Sequence, residues 1–269
     1  MTKSSGEFNW VGSQNNFVDN INIGDLKYIS IGRFGGNSTA GQYKNEDGCL
    51  VWVSEKEDWE FAVILDAHNS DESARLVVEQ FVLKKKEIQH LLSLPYDQAL
   101  KRLEQEMLDL FQEEAFMDKC RNAQGETACL VLFRKDKYIW WFSVGDCLSY
   151  LFHSDLAKLG QYQINQRQFY EWVGQVNTFE KAVPCYSKGV RELRKGMNRI
   201  LMTTDGLIEC PNEPFSSPKV IYHVMKNGSI KNSLMTLFQT VKENNVRDST
   251  TIISWDVTIT EDVTIPSDQ

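Results

Sequence analysis

Five aspartates stand where apolar runs begin or end. Asp66 follows FAVIL, Asp146 follows WFSVG and Asp205 follows ILMTT, while Asp47 precedes GCLVWV and Asp248 precedes STTIIS. A carboxylate at the mouth of a buried strand is costly unless something neutralises it. Basic residues close by in sequence are few: Lys44, Arg199 and Arg247. Several such carboxylates gathered at one sheet edge would repel one another, and divalent cations relieve that repulsion. Hard ions such as Mg²⁺ and Mn²⁺ favour carboxylate, carbonyl and water oxygens. Each aspartate taken alone also reads as a turn or cap residue. Five at equivalent strand ends point instead to a metal centre assembled from distant parts of the chain.

The elements that would have to position these residues are visible as hydrophobic patterns. The first forty residues are polar and rich in Gly and Asn, and read as an irregular segment with short strand-like pieces such as 28–32. Two strand candidates, 49–53 and 61–65, flank the turn SEKED as a hairpin. A helix follows that carries Ala74, Val77, Val78, Phe81 and Val82, capped by Ser70 or Asp71. A second has a stripe of Leu100, Leu103, Met107, Leu110 and Phe111. Pro95 separates them. ACLVLFR, YIWWFSV and CLSYLF then read as a meander. Residues 153–198 lose this rhythm and read as an insertion or flap. RILMTT, a late helix through Leu234, Leu237, Phe238 and Val241, and the strand TTIISWDV complete the core. Residues 258–269 read as a tail. Hairpins of strands with paired helices predict an α+β fold with antiparallel sheets rather than a βαβ winding.

Composition narrows the function classes. The chain has 269 residues, 42% hydrophobic and 25% charged, an ordinary globular mix that suits one domain, 41–257, with insertions. Its 29 basic and 37 acidic residues leave a net charge of −8. That argues against nucleic acid as a partner, which needs a basic footprint. Six cysteines without a CxxC pair argue against a zinc site and fit reduced thiols in a cytoplasmic setting. No run reaches the ~20 apolar residues of a membrane span. GxGxxG, Walker A, HExxH and GxSxG motifs do not occur.

Six ordered blocks carry a resemblance: NED (45–47), FAVILDAH (61–68), GETA (125–128), FSVGDCLSYLF (142–152), LMTTDGLIE (201–209) and RDSTTIIS (247–254). Together they resemble the PP2C (PPM) family of metal-dependent Ser/Thr protein phosphatases, in bacterial form, over about residues 40–255. The resemblance implies a four-layer α/β/β/α sandwich of two antiparallel sheets flanked by helix pairs. It implies that Asp66 bridges two Mn²⁺ or Mg²⁺ ions, that the Ala67 carbonyl joins one of them, and that Asp205 and Asp248 complete the other. Glu46 and Asp47 would hold ion-bound waters from outside, and Asp146 with Asp205 matches a third-ion site. A water activated between the ions would attack phosphorus in a phosphoprotein substrate. His68 matches the proposed general acid, with an imidazole suited to protonating an alkoxide near neutral pH. His90, His153 and His223 have no such context and read as structural.

Four features depart from the family pattern. DGHGG becomes Asp66-Ala67-His68-Asn69-Ser70, where alanine would be strained if the family glycine sits at positive φ and Asn69 would tolerate it better. Gln42 stands where the family places a phosphate-gripping arginine, and a neutral amide lacks that charged fork. Lys44 reads as solvated surface. The terminal DN pair is Asp248-Ser249, and 153–198 matches nothing assignable. These departures keep two alternatives open: a PP2C-like regulator that binds a partner without turnover, and a phosphatase for small phosphate esters.

Overall fold

The computed structural model describes residues 5–263. In chain order, β1 (Ser5–Val11), β2 (Asn22–Leu26), β3 (Ile29–Phe34), β4 (Gly48–Ser54) and β5 (Trp59–His68) come first. Four helices follow, α1 (Glu72–Leu83), α2 (Lys85–Ser93), α3 (Tyr96–Phe111) and α4 (Glu114–Asn122). Next are β6 (Glu126–Lys135), β7 (Tyr138–Val144), β8 (Leu148–Phe152), α5 (Ser154–Lys158), β9 (Val173–Gly174), β10 (Ser187–Glu192) and β11 (Gly196–Thr203). The chain closes with α6 (Pro218–Met225), α7 (Ile230–Glu243) and β12 (Thr250–Ile259).

The strands form two antiparallel sheets. One runs β1-β4-β5-β6-β7-β10 with β9 beside β6, and the other runs β2-β3-β12-β11-β8. Period-two alternation divides each central strand between two cores. On β5, Phe61, Val63 and Leu65 pack on α1–α4 with Ala74, Phe81, Leu103 and Phe111. Ala62 and Ile64 point the other way, against Ile200, Met202, Ile253 and Trp255 of the second sheet. A third core joins Leu201 and Ile252 to Ile221, Leu234, Leu237 and Phe238 of the α6–α7 pair. The result is helix, sheet, sheet, helix in four layers. Each fully buried Leu, Ile or Phe stabilises this stack by about 1.5–3 kcal/mol.

Antiparallel register gathers the motif ends. Gly48 pairs with Leu65, Leu65 with Cys129 and Cys129 with Val144, so the approach to Asp47 and the exits to Asp66 and Asp146 share one edge. Thr203 pairs with Leu148 and with Ile252, which does the same for Asp205 and Asp248 in the second sheet.

Several expectations need correction. Among the described residues up to 40, the chain is more regular than expected: β1 extends the first sheet, β2 and β3 extend the second, and the strand-like piece at 28–32 falls largely in β3. Polar alternation hid β1, which is an edge strand with its outer positions exposed. CLSYLF does not close a meander. β8 leaves the first sheet and pairs with β11 in the second. Gly145 makes the exit possible at φ +86, where a Cβ would lie 2.5 Å from that of Ala128. The helix pair is a set of four, with short α2 and α4 added to the predicted α1 and α3. In the expected tail, Thr258 and Ile259 belong to β12, and residues 264–269 lie outside the described residues.

Candidate metal centre

The alternation that sends Ala62 and Ile64 between the sheets sends Asp66 there too, near the end of the strand. Asp66 is 3% exposed, Asp205 6% and Asp47 1%. One oxygen from each of Asp66, Asp146 and Asp205 lies within 4.8 Å of the others, a spacing suited to a shared cation. Asp205 opens a 3-10 turn, Asp205–Leu207, directly after β11. Gly206 is required there, because a Cβ would fall 2.1 Å from the Ser249 carbonyl oxygen. That close approach brings the start of β12, and Asp248 before it, against Asp205.

Asp47 sits deeper. Thr251 Oγ1 donates to its Oδ2 at 2.7 Å and Thr204 Oγ1 at 3.1 Å. The backbone N–H of Asp205 donates to Asp66 Oδ2 at 3.2 Å. These donors do not offset the burden of negative charge. Burial, with Asp47 and Asp248 nearby, pushes the Asp66 carboxyl well above the carboxylate range. Burial and repulsion from Asp248 and Asp205 do the same to Asp47 despite its two threonine bonds. Burial, then Asp66 and Asp248, pushes Asp205 up to about 12. Asp248 is raised by burial and Glu46 and is eased by Asp205, its Ser249 backbone bond and the charge of His68. The Oδ1 atoms of Asp146 and Asp205 are buried without a partner. Oxygen donors repelling one another in this way fit a hard divalent cation.

The structure therefore brings Asp47, Asp66, Asp146, Asp205 and Asp248 together, with Glu46 and His68 around Asp248. His68 is exposed at the last position of β5 and has no hydrogen bond from its ring among the described residues. Ala67 lies in the same strand at ordinary extended φ, while the left-handed position is Asn69 at φ 74. Alanine is thus unstrained. Gln42 is 6% exposed, and its Oε1 accepts from the adjacent Tyr43 N–H at 3.3 Å. Lys44 is not free surface: its Nζ lies 2.6 Å from Glu46 Oε1 and donates to the Asn69 carbonyl at 2.6 Å. Arg199 serves elsewhere, paired with Asp256. His153 caps α5 through Nδ1 and contacts the Lys195 carbonyl through Nε2.

Sequence reasoning missed Arg167. From the 153–198 segment its Nη2 reaches Asp146 at 3.2 Å, Asp205 at 3.3 Å and Glu209. Glu209 lay inside a quoted motif without a role, and Thr204 and Thr251 stood beside the aspartates in the TTD and STT blocks. Nothing local marked Arg167.

Comparison with known proteins gives this arrangement its family. No curated protein matches the chain by sequence. A substituted variant of a bacterial serine phosphatase superposes with a TM-score of 0.65 at 18% identity, covering 87% of this chain and all of that one. The catalytic domain of the serine/threonine protein phosphatase PstP, in complex with two manganese ions, gives 0.57 at 14% identity, covering 94% and 100%. RsbX in complex with magnesium gives 0.54 at 14%, covering 88% and 100%. At such identities these likenesses establish the shared fold. The family model for protein phosphatase 2C matches residues 35–249, most of the chain and every one of the clustered aspartates, so this protein belongs to the protein phosphatase 2C family of hydrolases.

Proposed function

We propose that the protein hydrolyses phosphoserine and phosphothreonine in protein substrates, using Mn²⁺ or Mg²⁺ held by Asp66, Asp205, Asp248 and the Ala67 carbonyl. One observation carries the reading: among the described residues, Asp47, Asp66, Asp146, Asp205, Asp248, Glu46 and Glu209 crowd one sheet end, and only Lys44 and Arg167 form ion pairs with them. The shortfall of positive charge suits a pair of divalent ions. When bound, such ions supply a polarised water as nucleophile and offset charge on the phosphoryl oxygens.

The chain's own residues set the rest. Asp66 and Asp47 aim their carboxylates from the first sheet, and Asp205 and Asp248 close the site from the second. The threonine hydroxyls fix the Asp47 carboxylate, leaving its other oxygen for outer waters. His68, at the exposed strand end, is placed to give its proton to the departing serine or threonine oxygen. Lys44 ties the loop before β4 to the Asn69 carbonyl and so steadies the backbone beside His68. A cytoplasmic setting fits six cysteines that are all unpaired.

Hydrolysis of p-nitrophenyl phosphate with and without Mn²⁺, for the wild type and Asp66→Asn, tests the reading. Metal-dependent turnover that the substitution abolishes is expected, and turnover surviving in EDTA would refute it. Gln42, folded onto its own backbone, favours one rival: a phosphate gripped too weakly for catalysis. Stoichiometric Mn²⁺ binding without turnover of either p-nitrophenyl phosphate or a phosphopeptide panel would select that partner-binding reading. Turnover of the small ester alone would select a small-molecule phosphatase.

A further inference from the structure

Three carboxylates converge on a single nitrogen atom. Arg167 Nη2 lies 3.2 Å from Asp146 Oδ2 and 3.3 Å from Asp205 Oδ2, and also contacts Glu209 Oε1. Surface arginines usually spread their five donors over a forked partner. Here Nη2 takes all three acids, while Nε is buried without a hydrogen-bond partner. The acids surround that nitrogen as they would surround an ion.

The seat of Arg167 is built rather than incidental. Asn165 is 3% exposed and uses its whole amide. Its Oδ1 accepts from Ser149 N at 2.8 Å and Ser149 Oγ at 2.9 Å. Its Nδ2 donates to the Cys147 carbonyl at 2.8 Å and to Ser143 Oγ at 3.2 Å. On the other side of Arg167, Gln168 N donates to the Gly145 carbonyl at 2.9 Å. Further back, Leu151 N donates to the Tyr162 carbonyl and Ile164 N to that of Ser149. The stretch 162–168 is thus fastened along 145–151, the segment that carries Asp146. The Phe169 ring lies 4.7 Å from the guanidinium carbon.

We infer that Arg167 is a resident cation that takes the place of a third divalent ion at the Asp146–Asp205 pair and holds the centre to two ions. This rests on the metal-centre reading given above. A guanidinium stays charged at any physiological pH, so its occupancy cannot be titrated away. A divalent ion entering between Asp146 and Asp205 would have to expel a half-buried, fully charged group and break the Glu209 contact. The guanidinium and the ion therefore exclude each other. The Oδ1 atoms of Asp146 and Asp205 are both buried without a partner, so the arginine does not use all of the pair's acceptors.

Equilibrium dialysis against Mn²⁺ alone, with metal counted by mass spectrometry, tests this on the full chain. The wild type and Arg167→Lys, which keeps a cation, are expected to hold two ions. Arg167→Met is expected to hold three, with the third bound about tenfold or more tightly than any third ion in the wild type, a usual size for coupling between competing sites. Asn165→Ala, which keeps the arginine and loosens its seat, should show the same gain more weakly and covers the case in which Arg167→Met does not fold. Three ions in the wild type, or the same count in wild type, Arg167→Met and Asn165→Ala, would overturn the inference. If Asp66→Asn loses ions while the Arg167 variants match the wild type, the inference fails and the metal-centre reading stands. If no variant binds Mn²⁺, both fail.

Discussion

The inner face of β5 carries a buried carboxylate at each end, and the two are treated in opposite ways. Glu60 is fully buried at one end and Asp66 is 3% exposed at the other, about 20 Å along the strand. Glu60 faces Arg134 directly across the β5–β6 ladder. Arg134 grips both of its oxygens, with Nε to Oε2 at 2.5 Å and Nη2 to Oε1, and Trp255 Nε1 adds a bond at 3.2 Å. The Tyr28 hydroxyl donates to the same carboxylate. Burial alone would lower the Arg134 pKa, yet Glu60 and Asp58 hold it above the usual arginine value. Asp66 has no arginine. Its neighbours are other acids, and among the described residues its one side-chain hydrogen bond is from a backbone N–H. One end is a closed ion pair within the first sheet, tied to the second by Trp255 and Tyr28, and the other is an open demand for charge. The same strand thus separates a structural carboxylate from a chemical one by what is placed opposite.

The largest expected effect is on the open end. Asp66→Asn should reduce metal-dependent turnover at least about a thousandfold, since activation of water by metal is worth several kcal/mol. The same variant should melt at a higher temperature than the wild type in EDTA at pH 7, because it removes one member of a repelling cluster. A lower melting temperature would show that Asp66 is satisfied without metal and would break the comparison. At the closed end, Arg134→Met leaves the Glu60 charge buried and alone, and should cost about 3–5 kcal/mol in urea unfolding. Mn²⁺ stoichiometry should be unchanged, and a loss of ions would mean that the two ends are coupled. His68→Ala should slow turnover about a hundredfold, the lower end for general acid catalysis, with metal affinity nearly intact.

A gentler effect sharpens the contrast through pH. Asp47, Asp66, Asp205 and Asp248 all have folded pKa values above their unfolded ones. The folded state therefore binds more protons than the unfolded state above about pH 4. Stability without metal should fall as pH rises from 5 to 9, by up to about 1.4 kcal/mol per pH unit for each proton retained. The window extends upward because Asp205 is pushed to about 12. With Mn²⁺ present the slope should flatten, since the cation replaces protons. Thermal melts at pH 5, 7 and 9, with EDTA or with Mn²⁺, read this directly, and parallel slopes would argue against metal at the cluster.

The five aspartates were legible because each sits at a boundary between an apolar run and a turn, and such boundaries are local. The α+β class was legible for the same reason, from the hairpin of β4 and β5 and the stripes of α1 and α3. The second end of β5 was not read, although Glu60 breaks an apolar face and Arg134 lies opposite once the pairing is known. The turn at Gly145-Asp146 reads equally well as a hairpin or as a crossing between sheets, and the positive φ of Gly145 decides it only in three dimensions. Arg167 lies in a stretch without rhythm, and its partners come from 21, 38 and 42 residues away.

By itself, then, the sequence determined which residue types stand at the strand ends and that hairpins of apolar strands accompany striped helices, because both follow from short-range periodicity. Only the tertiary structure decided that Glu60 is neutralised by an arginine while Asp66 is not, and that Arg167 enters beside Asp146 and Asp205. Electrostatic compensation depends on distance through space, and antiparallel pairing together with the crossing to the second sheet sets those distances between residues that the chain keeps far apart.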